Sequence, residues 1–243
     1  LGGIGLIIAQ HLAETVQAHL ILIGRSAFPE KDEWEQWRAT HDDQDRISEK
    51  IGKLQALEKT GAKIMILQAD VTKQEMIQAA KTKAIERFGP IHGVIHAAGV
   101  PGGGIIQLKT AEMAADVLAP KVKGTLYLHE AFKDTQLDFF VLFSSLSSIL
   151  GEFGQVDYCA ANAFLNEFAC QETWGNNRQI MSINWDVWRE VGMTVQSSAP
   201  ALLKKWREEQ FKSAMLPAEG VEAFDRILSG GIIPQVTVCT TDI

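Results

Sequence analysis

A chain of 243 residues that is 46% hydrophobic has enough apolar content for the core of one α/β domain, which excludes disorder. Its formal net charge of -7 argues against a nucleic-acid or anionic-membrane partner. Cys159, Cys170 and Cys239 form no CxxC pair, the six histidines lack metal-ligand spacing, no apolar run approaches a membrane span and no signal peptide is visible, so a metal-free, cytoplasmic protein is expected.

The chain opens with "LGGIGLIIAQHLAE", a glycine loop running into a helix over residues 4–15. Such a loop is aimed by the strand before it, so residues 1–243 are read as an N-terminally truncated catalytic domain lacking its first strand. Buried strands are expected at 19–24, 62–70, 91–99, 137–145 and 179–188, with a last one in "PQVTVCT". Their near-continuous apolar character suits a parallel sheet covered on both faces. Helical spacing fills the intervals at 73–88, 111–133, 157–174 and 218–228. In the first of these, Met76, Ile77, Ala80, Ala84, Ile85 and Phe88 fall on one stripe, and Gly89-Pro90 stops it. Alternating strands and helices predict an α/β, Rossmann-type doubly wound parallel sheet. Two stretches break the rhythm. The charged segment at about 29–54 reads as an insertion of one or two solvated helices held down by Trp34 and Trp37. The segment at about 189–213 follows the sixth strand, where a lid over the ligand edge is expected.

Gly2, Gly3, Ile4 and Gly5 lead into a helix whose amides and dipole suit a pyrophosphate. The second strand ends in Arg25-Ser26, where folds selective for NAD carry a carboxylate. A guanidinium there matches a 2′-phosphate, which favours NADPH over a merely exposed arginine. Asp70, with Val71 next in "QADVT", could accept a hydrogen bond from adenine or cap a helix together with Thr72. His96, Ala97, Ala98 and Gly99 end the fourth strand. The small residues there would admit a flat ring, or else permit close helix packing.

Ser145 ends the fifth strand and Tyr158 begins the next helix, with Asn162 one turn on, on the same face. A free phenol titrates near 10, too high for efficient proton transfer at neutral pH. A nearby ammonium would lower that value. Lys121 and Lys123, just after an expected break at Pro120, are the candidates. Tyr127 reads as a packing residue, and Ser144, Ser147 and Ser148 as turn and cap residues.

The stretches "GGIG", "GRSA", "ADVT", "HAAGV", "APKVKGT", "FSSLSS", "YCAANAFL" and "SINWDVWREVGM" resemble the ketoreductase domains of modular polyketide synthases, or of hybrid polyketide/nonribosomal peptide synthases. These domains fall within the short-chain dehydrogenase/reductase superfamily, and the resemblance spans essentially the whole chain. Stand-alone members place a lysine four residues after the tyrosine. Here Asn162 stands there and the lysine comes from "PKVKGT", as in the synthase domains. The resemblance implies that Tyr158 is the general acid and Ser145 a hydrogen-bond donor to the same carbonyl oxygen. It implies that Lys121 lowers the tyrosine pKa and binds the nicotinamide ribose, and that Asn162 stabilises the site together with a water. The implied reaction is NADPH-dependent reduction of a β-ketoacyl group carried by phosphopantetheine on an acyl carrier protein, beside other synthase domains.

Two family fingerprints are missing. Pro101-Gly102-Gly103 stands where one product class has Leu-Asp-Asp, and Leu150 stands where the other often has tryptophan, so neither alcohol configuration is assigned. The alternatives are a stand-alone carbonyl reductase, opposed by the Tyr158/Asn162 spacing, and a non-reducing or epimerising synthase domain, opposed by the complete set of side chains.

Overall fold

The computed structural model describes residues 2–42, 45–175, 179–196, 205, 208, 209, 211–231 and 233–242. Two compact units emerge, one of residues 1–70 and 75–89, the other of 71–74 and 90–243.

In the first unit, α1 (Gly3–Val16) leads to β1 (Leu20–Gly24), then α2 (Trp34–Thr40), α3 (Arg46–Lys59), β2 (Ile64–Gln68) and α4 (Gln74–Phe88). β1 and β2 pair in parallel, Leu20 opposite Ile64 and Gly24 opposite Gln68. The core combines Leu6, Ala9 and Ala13 of α1 with Leu20, Trp34, Ile51, Leu54 and Leu57. The segment read as a solvated insertion is therefore only half so. Helix α3 buries a stripe at i, i+3 and i+6 because Ile51, Leu54 and Leu57 recur at helical spacing among charges. Asp45 caps it by accepting from the amides of Ile47 and Ser48, and also takes the Trp37 indole N–H at 3.0 Å. On α4, Ile77, Ala80 and Ala84 are buried, whereas Ile85 lies outside the stripe and is exposed.

In the second unit, β3 (Gly93–His96) is followed by α5 (Ala111–Phe132), β4 (Phe139–Ser145), the short α6 (Ser147–Leu150), α7 (Val156–Cys170), β5 (Ile180–Trp185), the short α8 (Met193–Gln196), α9 (Pro217–Ser229) and β6 (Gln235–Val238). The four strands form one parallel sheet in the order β3-β4-β5-β6. Every residue of β5 and five of the seven in β4 are buried, as a sheet covered on both faces requires. The structure thus has parallel α/β architecture, divided between two sheets, and the edges of β1 and β3 opposite β2 and β4 carry no strand among the described residues.

Two expectations are corrected, and a third falls largely outside the described residues. Helix α5 passes through Pro120 without a break; the proline is buried and its carbonyl lies 3.0 Å from His96 Nε2. β5 stops at Trp185, and Trp188 makes only an isolated bridge to Met215. Of the expected lid, residues 197–204, 206, 207 and 210 lie outside the described residues. Its flanks are tied together, Met215 N–H to Val187 O at 2.8 Å and Arg189 N–H to Met215 O at 2.9 Å. No described helix is long and apolar enough to cross a membrane.

Candidate active site

The carboxyl ends of β3 and β4, the middle of α5 and the start of α7 in the second unit hold the candidate residues. Helix α7 is registered on β4 by Ser144 Oγ–H, which donates to the Asn162 carbonyl at 3.1 Å inside the core. Behind it, Ser182 Oγ donates to Asn166 Oδ1 at 2.7 Å and Asn166 Nδ2 to Ser148 Oγ at 2.9 Å. Ser148 Oγ in turn donates to the Ser145 carbonyl at 2.7 Å. This buried chain joins β5, α7 and the end of β4, so Ser145 and the tyrosine helix share one rigid frame.

At Ser145, the Oγ accepts the Ser147 amide at 3.2 Å and the Ser147 hydroxyl at 3.0 Å. A hydroxyl has two lone pairs and one proton, so with both lone pairs engaged Ser145 is left as a donor. Sequence reasoning set Ser147 aside as a turn residue. The signal was the i, i+2 repeat of serines at a strand end.

Lys121 and Lys123 are separated decisively. Two residues apart on α5, they face opposite ways, Lys121 buried and Lys123 exposed. Lys121 Nζ donates to the Phe143 carbonyl of β4 at 2.8 Å and lies 5.8 Å from the centroid of the Tyr158 ring. Burial pushes its ammonium down to about 7. His96, also buried, has Nε2 3.0 Å from the Pro120 carbonyl. Burial and then the Lys121 charge hold its ring down to about 3.

The Tyr158 phenol titrates above its ordinary value, and burial is the leading cause. The Asn162 side chain pulls it back, Glu152 raises it further and Ser145 lowers it. The net direction is thus upward, where a phenol held below its ordinary value was expected beside Lys121. The ammonium sits over the ring and is itself desolvated, so burial dominates. Asn162 is fully buried, with Nδ2 donating to the Tyr158 carbonyl at 2.7 Å and Oδ1 lacking a hydrogen-bond partner.

The residues expected to bind a dinucleotide divide between the units. In the first unit, Gly2 and Gly3 have φ of 140° and 57°, conformations open to glycine, and lead into α1, whose first turn no side chain caps. Ile4 and Gly5 are half-buried in that turn, and Arg25 and Ser26 are exposed on the bend after β1. Asp70 is half-buried after β2. In the second unit, Val71 is half-buried, Ala97 and Ala98 are exposed, and the His96 side chain is spent on α5. A Cβ on Gly99 would come within 3.0 Å of Met193 Cε and 3.2 Å of Lys121 Cε, so the backbone there approaches the lysine closely. Within the first unit, the uncapped amides at the start of α1 fit an anion such as a pyrophosphate; within the second, the small residues at the end of β3 fit the close approach of a flat ring. No group of three or more His, Cys, Asp or Glu among the described residues is placed to hold a metal ion.

A family model described as the KR domain matches residues 1–190. The chain is 40% identical over 200 residues to the polyketide synthase PksN of Bacillus subtilis, spanning 80% of this chain and 3% of that protein. A solved ketoreductase domain from the bacillaene assembly line superposes with a TM-score of 0.79 at 32% identity, covering 98% of this chain and 53% of that one. Levodione reductase shares the fold, with a TM-score of 0.79 at 20% identity over 98% of this chain and 93% of that one.

Proposed function

This chain belongs to the KR domain family found in polyketide synthases, and from that premise we propose that it reduces a β-ketoacyl thioester to the β-hydroxyacyl thioester with NADPH. It is an oxidoreductase of the ketoreductase type and uses a nicotinamide cofactor. The choice of NADPH, the tethering of the substrate by phosphopantetheine to an acyl carrier protein, and neighbouring synthase domains as partners are parts of the proposal.

The observation that carries the reading is Ser145, left with only a proton to give, on the same buried frame as Tyr158, with Lys121 Nζ 5.8 Å from the centroid of that ring. In this mechanism Ser145 donates to the ketone oxygen and fixes its direction. Tyr158 delivers its proton to that oxygen as negative charge develops. Lys121, with Nζ 5.8 Å from the centroid of the ring, offsets only part of the burial that raises the phenol as negative charge develops there. Asn162 holds the first turn of α7 through Nδ2 and offers Oδ1 to a further donor. When bound, NADPH supplies the hydride that adds to the β-carbon. In the first unit, Gly2, Gly3, Ile4 and Gly5 would take the pyrophosphate, Arg25 and Ser26 the 2′-phosphate, and Asp70 the adenine. In the second, Val71, Ala97, Ala98 and Gly99, with the backbone of His96, would line the nicotinamide side, and Lys121 and Tyr158 would hold its ribose.

The test is product analysis with a β-ketoacyl thioester and NADPH, using the full-length polypeptide. One β-hydroxyacyl thioester formed per NADPH consumed is expected. Exchange of the α-proton with solvent while NADPH persists would contradict reduction and point to an epimerising domain.

A further inference from the structure

The loop between β3 and α5 is fastened to the first turn of α7 by a buried ion pair 48 residues apart in sequence. Lys109 precedes the α5 cap Thr110, and Asp157 precedes Tyr158. Their side chains are 7% and 2% exposed. Lys109 Nζ donates to Asp157 Oδ2 and, at 2.7 Å, to the Gly103 carbonyl in the loop. Asp157 Oδ1 accepts the backbone N–H of Tyr158 at 2.9 Å. One cation therefore binds the loop, and its carboxylate partner binds the backbone of the tyrosine itself.

Gly102 marks how closely the two segments meet. A Cβ there would fall 2.3 Å from Gln155 Oε1, 2.8 Å from Asp157 Oδ1 and 3.0 Å from Tyr158 Cβ. A larger residue there would require the Gln155 and Asp157 side chains or the loop itself to shift.

A buried ion pair is weak as a source of stability, since well-packed apolar replacements are often neutral or better. What this pair supplies is position. We propose that Lys109 and Asp157 are positioning residues that clamp the Val100–Gly104 loop onto α7 and so hold Tyr158 in register for proton transfer. The proposal rests on Tyr158 being the proton donor.

The test compares Lys109→Met, Lys109→Arg, Asp157→Asn and the paired Lys109→Met/Asp157→Leu with the parent and Tyr158→Phe, all in the full-length polypeptide. kcat on a β-ketoacyl thioester, Kd for NADPH and Tm are measured for each. Lys109→Met and the paired variant should lose about 10²-fold in kcat, the scale of a small misplacement of a reacting group, with Kd for NADPH unchanged. Lys109→Arg should recover most of the rate, and Asp157→Asn, which keeps an acceptor for the Tyr158 amide, should fall between. The paired variant should melt with the parent. A paired variant that melts with the parent and turns over at the parent rate overturns the proposal. So does a paired variant that fails to fold, because the pair is then structural. A parent that reduces nothing fails the functional reading instead, and that outcome is distinguished by the parent and Tyr158→Phe controls.

Discussion

Lys121→Met is expected to make the protein more stable while removing most of its activity. Lys121 is 3% exposed, and burial lowers its ammonium from 10.5 to about 7. At about 1.36 kcal/mol per pH unit, the folded state carries ~5 kcal/mol of desolvation cost when the side chain is charged in both states. Methionine fills similar space without charge. It leaves the Phe143 carbonyl without its Nζ donor, a loss of about 1–3 kcal/mol. The net gain is therefore roughly 2–4 kcal/mol, which for a chain of this size raises Tm by roughly 5–15 °C. The sign with pH follows from proton binding. Between about 7 and 10.5 the unfolded chain holds a proton that the folded protein does not, so the parent gains stability as pH rises through that window. Below about 7 both states are protonated and its deficit is constant; above 10.5 neither is and the deficit vanishes. Melts of both proteins at about pH 6 and about pH 9 test this, with the advantage of methionine large at the first and close to zero at the second. A variant no more stable than the parent at the lower pH, or an advantage that does not shrink, would refute the argument.

His96→Gln keeps a donor for the Pro120 carbonyl and removes a ring whose pKa falls from 6.5 to about 3 on folding. The parent should therefore lose stability as pH drops from 6.5 to about 3, and acid melts of the variant should be flatter by up to about 1.4 kcal/mol per pH unit in that window. Ser147→Ala removes the hydroxyl donor to Ser145 but leaves the amide. Steady-state kinetics should show kcat down about 3–10-fold, the worth of one hydrogen bond, with Kd for NADPH unchanged. Arg25→Asp places a like charge against a 2′-phosphate, so titrations should show NADPH weakened far more than NADH.

The strands were legible because a parallel sheet covered on both faces demands unbroken apolar runs, and "FFVLFSS" and "IMSINW" are such runs. The choice of Lys121 over Lys123 was half legible. Helical geometry sets the two on opposite faces, but only packing reveals which face is buried. Pro120 misled because its local penalty as an interior helix residue, about 3 kcal/mol, is set against the packing of a 22-residue helix that buries Val117, Lys121, Gly124, Thr125 and Leu128 around it. The phenol misled in a similar way: charge proximity can be guessed from motifs, whereas desolvation depends on how the whole unit packs. Helix α3 hid among charges, and its stripe emerges only once Ile51, Leu54 and Leu57 are aligned three apart. The Lys109–Asp157 pair had no sequence signal, because the segments meet only through the order of β3 and β4 in the sheet.

The central claim is that Tyr158 gives the proton, and Tyr158→Phe tests it most directly. Phenylalanine keeps the ring beside Lys121 and removes only the hydroxyl. Kd for NADPH and kcat on a β-ketoacyl thioester should be measured together in the full-length polypeptide. Cofactor binding should be nearly unchanged while kcat falls by about 10²–10⁴, the usual loss of a general acid. Reduction by the variant at the parent rate would contradict the account.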